Sequence, residues 1–552
     1  MSNRLTIALA QIDPIVGDIK GNIERLKQAR TKAAKLGADL VVSTELSVTG
    51  YPPEDLVLKP MFQDAAEAAV KTLAKETADG GPGLIVGCPW RDGGKLHNAA
   101  LLLEAGAVAG FRFKHNLPNY GVFDEVRVFA PGPLPGPIPF RGVRLGVMVC
   151  EDMWFPDVAE CLQESGAELL VVLNGSPFDT DKQDVRLTHA VARVTETGLP
   201  LIYVNQVGGQ DELVFDGGSF VLGADRGLRV QAPSFVEHLI PTRWTRGPNG
   251  DLDCAAGERA PELPEHDAIY RAMVLGLRDY VNKNGFPGVL IGMSGGLDSA
   301  LSAVVAVDAL GPERVHCVRM PSRFTSTASL DDAAECCALL GVACRTISIE
   351  PSFNAFLDVL APSFESRAPD TTEENIQARI RGVILMALSN KFGDMVLTTG
   401  NKSEMSVGYA TLYGDMCGGY SVLKDVYKMM VYALGRWRNQ QWVDGLKGPK
   451  GRVIPEAIFT KAPTAELKAN QTDQDSLPLY EVLDDILTCL IEGEMPLPEI
   501  VARGHDPAVV SRIWRMLDHA EYKRRQAPPG VKLTRRSFGR DRRYPITNRY
   551  RG

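Results

Sequence analysis

A glycine-rich loop between an apolar strand and a helix constrains the fold of this chain more than any other feature. Residues 289–300 read Val-Leu-Ile-Gly-Met-Ser-Gly-Gly-Leu-Asp-Ser-Ala. From about residue 266 onward, the hydrophobic pattern alternates between strands and helices. It predicts strands at 289–293, 315–320, 344–349 and 395–399, and helices at 300–310, 330–340 and 373–391. Strands separated by helices of this length indicate a parallel, doubly wound sheet.

The first half of the chain has a different mixture of elements. A helix is predicted at 22–36, and the segment 99–113 is predicted to be a hairpin that turns at Glu104-Ala105-Gly106. Further short apolar strands are expected at 5–10, 40–43, 84–87, 143–149, 169–173 and 201–205. This mixture predicts two sheets packed face to face with helices outside.

The length of the chain sets the number of domains. Its 552 residues are too many for one hydrophobic core, so we expect two large domains. Residues 246–265 are polar and rich in proline and glycine, which is typical of a linker. We therefore predict domains at 1–245 and 266–552, joined by this linker.

Composition excludes several classes of protein. Apolar residues make up 45% of the chain and charged residues 23%, as is usual for globular enzymes. No apolar run approaches the roughly 20 residues that a membrane span needs. The first residues lack the small-residue cleavage site of a signal peptide, and we expect a cytoplasmic protein with no membrane partner.

The ten cysteines do not form a recognisable framework. No Cys-x-x-Cys or His-x-x-x-His pair occurs, so the sequence supports neither a zinc site nor a disulfide scaffold. Most of these thiols are expected to pack in the core. Cys150 is the exception, because it directly follows the apolar run 143–149 and precedes two acids.

Three reactive side chains follow three predicted strands. Glu45, Lys114 and Cys150 each lie where an apolar run ends, so we expect them to meet at one rim of a sheet. A carboxylate can take the thiol proton, and the thiolate can then attack an amide carbon. An ammonium group can stabilise the oxyanion that forms. Taken singly, such a cysteine is more often a core residue, and such a Glu or Lys a solvated rim residue.

The glycine-rich loop is suited to phosphate. Its adjacent glycines let the backbone approach phosphate oxygens at the positive end of the following helix. The loop lacks the lysine of the GxxxxGK[ST] motif, so it does not match the loops that hold a triphosphate for γ-transfer. A tight turn without a ligand is the alternative.

The motifs of the first half resemble the nitrilase family, and most closely its glutaminase branch. They are Ser43-Thr-Glu-Leu-Ser-Val-Thr-Gly-Tyr-Pro-Pro-Glu-Asp-Leu56, Phe113-Lys-His-Asn-Leu-Pro-Asn-Tyr-Gly-Val-Phe-Asp-Glu125 and Val147-Met-Val-Cys-Glu-Asp-Met-Trp154. The resemblance implies a four-layer α-β-β-α fold and a catalytic Glu45, Lys114 and Cys150. It also implies that glutamine is bound near the triad by Tyr120, Glu125, Ser176 and Lys182.

The second half resembles the NAD synthetases within the ATP pyrophosphatase family, which cut ATP between its α and β phosphates. The matching segments include Ser294-Gly-Gly-Leu-Asp-Ser299, Asn375-Ile-Gln-Ala-Arg379, Tyr413-Gly-Asp415 and Ala462-Pro-Thr-Ala-Glu-Leu467. The resemblance implies that Mg²⁺ is held by Asp298 and Glu404. It implies ATP contacts by Ser294, Gly295, Gly296, Leu297, Asp298, Ser299, Arg319, Thr399, Lys428 and Thr464. Contacts to deamido-NAD are implied for Asn375, Arg379, Asp415, Lys523 and Asp541.

Together, the two resemblances imply a carbon–nitrogen ligase with glutamine as its amido donor. The first half would release ammonia from glutamine, and the second would adenylate deamido-NAD with ATP and capture the ammonia to give NAD⁺. Free ammonia protonates in neutral water, so we expect an internal path between the sites. The resemblance also implies a homodimer or a higher homo-oligomer.

Other interpretations remain open from the sequence. The acceptor could be another carboxylate or a nucleotide carbonyl, although the 375–379 and 413–415 segments argue against this. The chain could instead be an inactive nucleotide sensor or a nucleic-acid-binding protein. The basic segment from Lys523 onward could be a solvated tail, a nucleic-acid arm or a lid over an anionic substrate. Its match to the closing segment of the synthetases favours the lid and no nucleic-acid partner.

Overall fold

The computed structural model describes residues 4–180 and 182–550. The chain divides into two compact units, Met1–Leu263 and Pro264–Gly552. Among the described residues, no helix combines the length and apolarity that crossing a bilayer requires.

The first unit contains fifteen strands and four helices in its described part. The strands are β1 Arg4–Gln11, β2 Leu40–Val42, β3 Gly83–Asp92, β4 Lys95–Glu104, β5 Ala107–Phe113, β6 Ile138–Phe140, β7 Val143–Val149, β8 Leu169–Asn174, β9 Leu201–Asn205, β10 Val207–Gln210, β11 Leu213–Asp216, β12 Phe220–Leu222, β13 Leu228–Gln231, β14 His238–Arg246 and β15 Leu252–Cys254. The helices are α1 Ile19–Lys35, α2 Pro60–Glu76, α3 Pro156–Glu164 and α4 Lys182–Thr197.

Thirteen of these strands form two large mixed sheets, and β10 and β11 pair separately. The seven-stranded sheet has the order β15-β14-β1-β2-β3-β4-β5, and the six-stranded sheet has the order β13-β12-β9-β8-β7-β6. Their facing sides bury one core, to which Leu9, Val42, Val149 and Leu173 belong. The outer side of the first sheet packs on α1 and α2, and that of the second on α3 and α4. This confirms the predicted α-β-β-α layers.

The predicted hairpin at 99–113 is present. β4 and β5 pair antiparallel, and Ala105 and Gly106 at the turn have φ values of 51° and 86°. A left-handed conformation at both central residues suits the right-handed twist of the strands on either side.

The six strands between residues 207 and 254 were not predicted. β14 pairs antiparallel with β1 over eight residues, and β15 pairs with β14 inside the segment 246–265. Along β14, Ile240, Thr242 and Trp244 are buried in alternation with less buried neighbours. This period of two is a strand signal, but Pro241 and the arginines of the segment obscure it.

The second unit is built on one sheet in which every pair is parallel, with the order β18-β17-β16-β19-β20. The strands are β16 Val289–Gly292, β17 Val315–Arg319, β18 Ala343–Thr346, β19 Met395–Thr398 and β20 Tyr420–Ser421. The helices are α5 Glu265–Lys283, α6 Leu297–Leu310, α7 Thr327–Leu340, α8 Glu350–Leu360, α9 Thr371–Phe392, α10 Lys402–Val407, α11 Lys428–Gln440, α12 Glu456–Thr460, α13 Tyr480–Ile491, α14 Leu497–Ala502, α15 Pro507–His519 and α16 Glu521–Arg524. The predicted parallel sheet is confirmed.

The basic segment at the end of the chain is folded onto this unit. Arg524 and Arg542 are buried and both contact the carboxylate of Glu521, at 2.8 Å and 3.2 Å. Lys532 is also buried and lies 3.0 Å from Asp541. The solvated-tail interpretation is therefore wrong for these residues.

Candidate active sites

The three predicted catalytic residues of the first unit follow strands of both sheets. Glu45 comes three residues after β2, and Lys114 directly follows β5, so both lie at the seven-stranded sheet. Cys150 directly follows β7 of the six-stranded sheet. The expected meeting at the rim of one sheet is therefore wrong, because the site lies where two facing sheets end.

A buried ion cluster forms at this place. Lys114 Nζ lies 2.8 Å from Glu45 Oε1 and 2.7 Å from Glu125 Oε1. The carboxylate of Glu45 also accepts hydrogen bonds from Asn98 Nδ2 at 2.7 Å and Gly175 N at 2.9 Å. Because charge-assisted bonds hold both of its oxygens, Glu45 has a fixed orientation.

Charges within the cluster govern its protonation. Burial by itself would lower the pKa of Lys114, but Glu125 and Glu45 outweigh it and raise this pKa well above the ordinary value. Burial raises the pKa of Glu125, and Lys114 opposes that shift. Lys114 is therefore a permanent ammonium at neutral pH.

Cys150 is almost fully buried, with 3% of its surface exposed. Its backbone has a φ of 45°, a region that a non-glycine residue rarely occupies. Burial and the Glu45 carboxylate raise the pKa of its thiol, and Lys114 opposes them. The resting side chain is thus a thiol, which needs a base before it can act as a nucleophile.

The residues predicted to bind glutamine lie around this cluster. Glu125 is part of it, and Ser176 follows Gly175, whose N–H holds Glu45. The hydroxyl of Tyr120 donates to the Glu151 carboxylate, 3.0 Å away and next to Cys150. Lys182 Nζ lies 4.6 Å from the ring centre of Trp154, and burial lowers the pKa of this lysine.

Two members of the cluster were not identified from the sequence. Asn98 donates to both Glu45 and Glu125, and the hydroxyl of Tyr51 donates to Glu125 Oε1 at 2.8 Å. A signal was available for Asn98, because it is a polar residue directly before the apolar run 99–103 of β4. Tyr51 gave no such signal beyond its place in the motif that contains Glu45.

The second unit contains a cavity of about 310 Å³ at the carboxyl ends of its parallel strands. Such ends are where open α/β sheets bind ligands. Eleven of the predicted site residues line this cavity: Ser294, Gly295, Gly296, Leu297, Asp298, Ser299, Thr399, Glu404, Asp415, Lys428 and Thr464.

The glycine-rich loop forms one wall of the cavity. Gly295 has a φ of 83°, and a Cβ atom there would lie 2.2 Å from the carbonyl oxygen of Ser329. Helix α6 begins directly afterwards, with Gly296 as its N-cap. The loop therefore requires glycine at 295 and leads into the N-terminus of a 14-residue helix, as anion binding demands.

Two carboxylates in the cavity share one ammonium group. Lys428 Nζ contacts Asp298 Oδ2 and lies 3.4 Å from Glu404 Oε1. Asn401 Nδ2 donates to Asp298 Oδ1 at 2.9 Å. Burial raises the pKa of Glu404 to about 8, with Lys428 opposing and Asp298 adding to the rise.

This pair fits a magnesium ion. Its donors are hard carboxylate oxygens, and their mutual repulsion is the kind that a divalent cation removes. In the described part of the chain, no cluster of three or more His, Cys, Asp or Glu residues could hold a metal. A magnesium ion held by two carboxylates would take its other ligands from water and substrate phosphate, as is usual for Mg²⁺.

The other predicted contacts lie outside the cavity wall. Asn375 Oδ1 accepts from Thr411 Oγ1 at 2.8 Å, so it supports the segment that contains Asp415. Arg319 donates to Leu330 O at 3.1 Å, and Arg379 donates to Leu412 O at 3.2 Å. Lys523 donates to Gly408 O and to Ala410 O, both at 2.7 Å. Asp541 forms an ion pair with Lys532 at 3.0 Å.

Arg381 lines the cavity and was missed. Its Nε donates to the Met320 carbonyl at 3.1 Å, and burial lowers its pKa to about 10. A helical pattern could have indicated it, because cavity-lining residues of α9 are spaced by three and four positions: Ala378, Arg381, Gly382 and Leu385.

Both halves of the chain match known families. Residues 6–243 match the carbon–nitrogen hydrolase family, and residues 269–527 match the NAD synthase family. The glutamine-dependent NAD(+) synthetase of Rhodobacter capsulatus is 50% identical over 551 residues, which cover 100% of both chains. That of Thermotoga maritima is 43% identical over 579 residues, with 99% of each chain covered.

A solved structure agrees with these relatives. The glutamine-dependent NAD+ synthetase from Acinetobacter baumannii, in complex with adenosine diphosphate, is 42% identical, covers 99% of each chain and gives a TM-score of 0.78. The predicted enzyme class is confirmed by similarity that spans both halves at once. The chain belongs to the glutamine-dependent NAD(+) synthetases.

Proposed function

We propose that this enzyme converts deamido-NAD to NAD⁺, with ammonia released from glutamine by Cys150 and with ATP as the activating substrate. Glutamine cleavage is assigned to domain 1–245 and NAD⁺ synthesis to domain 266–552. The segment 246–265 between them includes β15 of the first unit. The proposal extends to a cytoplasmic homodimer or higher homo-oligomer. The observation that supports it most is the buried contact of Lys114 with both Glu45 and Glu125 beside Cys150.

Cleavage of glutamine uses the three groups in turn. Glu45 takes the proton of the Cys150 thiol, and the thiolate attacks the amide carbon. The ammonium of Lys114 stabilises the oxyanion, since it is close and already fixed. Glu45 returns the proton to the departing ammonia, and water then cleaves the thioester to release glutamate. Glutamine would be held by Tyr120, Glu125, Ser176 and Lys182.

Activation of the acceptor takes place in the cavity of the second unit. A carboxylate is a poor acceptor for an amine, so its oxygen attacks the α-phosphate of ATP and displaces pyrophosphate. The phosphate loop and the start of α6 orient the ATP phosphates, and Arg319, Thr399, Lys428 and Thr464 contact the nucleotide. Ammonia then attacks the adenylate to give NAD⁺ and AMP. Deamido-NAD would be held by Asn375, Arg379, Asp415, Lys523 and Asp541.

Asp298 and Glu404 would hold Mg²⁺. When bound, the ion neutralises charge on the phosphate oxygens. Lys428 balances the same two carboxylates in this structure, and it would then be released toward the nucleotide. Ammonia must stay unprotonated to react, so we expect its transfer to be shielded from bulk water.

Incubation of the enzyme with glutamine, ATP, Mg²⁺ and deamido-NAD tests the proposal. We expect NAD⁺, AMP, pyrophosphate and glutamate in equal amounts. Cys150→Ala should abolish synthesis from glutamine while ammonium chloride still supports it. Cys161→Ala, which changes a partly exposed cysteine of α3, should retain both activities. Loss of the ammonium reaction in Cys150→Ala, or retention of the glutamine reaction, would contradict the assignment.

A further inference from the structure

Asp152 is a buried carboxylate beside the thiol that the reaction scheme does not use. Only 2% of its surface is exposed. It accepts three backbone hydrogen bonds, from Val149 N to Oδ2 at 3.0 Å and from His115 N and Asn116 N to Oδ1 at 2.9 and 2.8 Å. Both of its oxygens are therefore used.

These bonds connect two strand ends that are far apart in the sequence. Val149 is the last residue of β7 and directly precedes Cys150. His115 directly follows Lys114, just beyond the end of β5. One carboxylate thus ties the backbone beside the sulfur to the backbone beside the ammonium, across the two facing sheets.

The backbone at Cys150 needs such support. Its φ of 45° is a conformation that persists only where the surrounding structure enforces it. Asp152 lies in the same short turn, Cys150–Met153, and its bond to Val149 N closes that turn from the inside. Burial raises the pKa of Asp152 to about 7, against the effect of the three N–H donors. Keeping an acid at this position is unfavourable unless those bonds are needed.

We propose that Asp152 is a positioning residue that fixes the sulfur of Cys150 relative to the ammonium of Lys114 during glutamine cleavage. It acts through the backbone next to both residues, at Val149 and at His115 and Asn116, and not through contact with substrate or sulfur. The inference rests on the proposed role of Cys150. An asparagine in its place has one acceptor oxygen for three N–H donors, and its amide N–H₂ would face a backbone N–H group.

Steady-state kinetics of Asp152→Asn in the full-length enzyme test this role. A displacement of about 1 Å at reacting groups can lower a rate about 100-fold, so we expect a loss of that order in kcat for glutamine hydrolysis. KM for glutamine should change little, because the binding residues keep their places. Synthesis from ammonium chloride should keep its wild-type rate, because the synthetase unit is unchanged, and circular dichroism of the full chain checks that the first unit is folded.

A second readout reports on the thiol itself. Alkylation of Cys150 by iodoacetamide, followed by mass spectrometry of the modified peptide, should slow in Asp152→Asn, because the thiolate loses its alignment with the ammonium. Asp157→Asn is the matched control. Its carboxylate also bonds the 115–116 segment, through Asn116 Nδ2 at 3.1 Å, but none of its hydrogen bonds among the described residues reaches the strand of the nucleophile. We expect it to leave both rates unchanged.

Asp152→Ser provides a second variant, since its hydroxyl can keep the bond to Val149 N. It should lose less kcat than Asp152→Asn. A folded Asp152→Asn enzyme with wild-type kcat and wild-type alkylation rate would overturn the inference. The inference would also fail if the loss of glutaminase activity in the two Asp152 variants only matched their loss of folded protein. If Cys150→Ala keeps glutaminase activity, the proposed function itself fails; if it is inactive while Asp152→Asn is normal, only the role of Asp152 fails.

Discussion

The thiol site of the first unit and the cavity of the second differ in how their charges are balanced. Around Lys114, two carboxylates, an amide and a backbone N–H already hold one another, and the thiol lies among them with 3% exposure. In the cavity, a single ammonium from Lys428 serves two carboxylates, and Glu404 has a pKa of about 8. The first site is assembled before substrate arrives, whereas the second would, under the proposed function, complete its charge balance with a bound cation and phosphate.

This difference follows from the chemistry of each half. Attack on an amide needs a nucleophile, base and oxyanion donor at fixed positions, which a closed network provides. Binding two anionic nucleotides needs room and positive charge, part of which would arrive as the Mg²⁺ that accompanies ATP. The contrast leads to four predictions, which run from the largest expected effect to the smallest.

Lys114→Met should be the most damaging change at the thiol site. It removes the oxyanion donor and leaves Glu45 and Glu125 buried without their cation, so glutaminase activity should fall about 1,000-fold. Ammonium-supported NAD⁺ synthesis should not change. Lys95→Met, at an exposed position of β4, is the control. Appreciable glutaminase in Lys114→Met would mean that the network is not needed before substrate binds.

Lys402→Met tests how much a buried ion pair contributes to the stability of the second unit. Lys402 is fully buried, 2.7 Å from Asp425 and 2.5 Å from Glu492, and it also holds Thr534 Oγ1 at 2.7 Å. Removing one partner of a buried pair should lower the free energy of unfolding by about 3 kcal/mol. Urea unfolding followed by circular dichroism measures this. Lys391→Met at the exposed end of α9 should be neutral, and an equal stability for both variants would refute the prediction.

Asp298→Asn should impair the synthetase site and leave the glutaminase site intact, the reverse of Lys114→Met. The loss of one of the two carboxylates proposed to hold magnesium should lower synthesis about 100-fold, equally with glutamine and with ammonium as the nitrogen source. Glutamine hydrolysis without ATP should persist. Asp331→Asn on the exposed side of α7 should leave synthesis unchanged. A loss confined to the glutamine-driven reaction would place Asp298 outside the ATP site.

Arg381→Met should have the smallest effect. Its guanidinium lines the cavity with only the Met320 carbonyl as a hydrogen-bond acceptor among the described residues, so it has donors for a phosphate. A bond between charged groups contributes about 1.5–3 kcal/mol, and KM for ATP or deamido-NAD should rise about tenfold. Separate titrations of the two nucleotides show which phosphate is held. Unchanged KM values for both would make Arg381 a purely structural residue.

Parts of each site could be predicted from local patterns. Cys150, Lys114 and the phosphate loop each follow an apolar strand, and a strand end is visible in a short window of sequence. Asn98 and Tyr51 could not be placed in the same way, because each acts on Glu45 or Glu125 through a contact that joins distant segments. For Arg319, Arg379 and Asp541, contact with substrate stays a prediction, since each already has a protein partner.

The strands after residue 207 show a second limit. β12 has three residues and β15 has three, which is too short for a reliable alternation. β14 is longer, but its register is set by eight pairs with β1, more than 220 residues earlier in the chain. Only the folded sheet distinguishes this segment from a loop.

By itself, the sequence determined the chemistry: a thiol, a carboxylate and an ammonium at strand ends in one half, and a glycine-rich phosphate loop on a parallel sheet in the other. Residue type and periodicity are local properties of the sequence, so they do not depend on tertiary contacts. The tertiary structure alone decided that two sheets, and not one, bring Glu45, Lys114 and Cys150 together, and that Lys428 lies between Asp298 and Glu404. Distances and pKa shifts depend on burial and on neighbours far along the chain, and these exist only once the layers have packed.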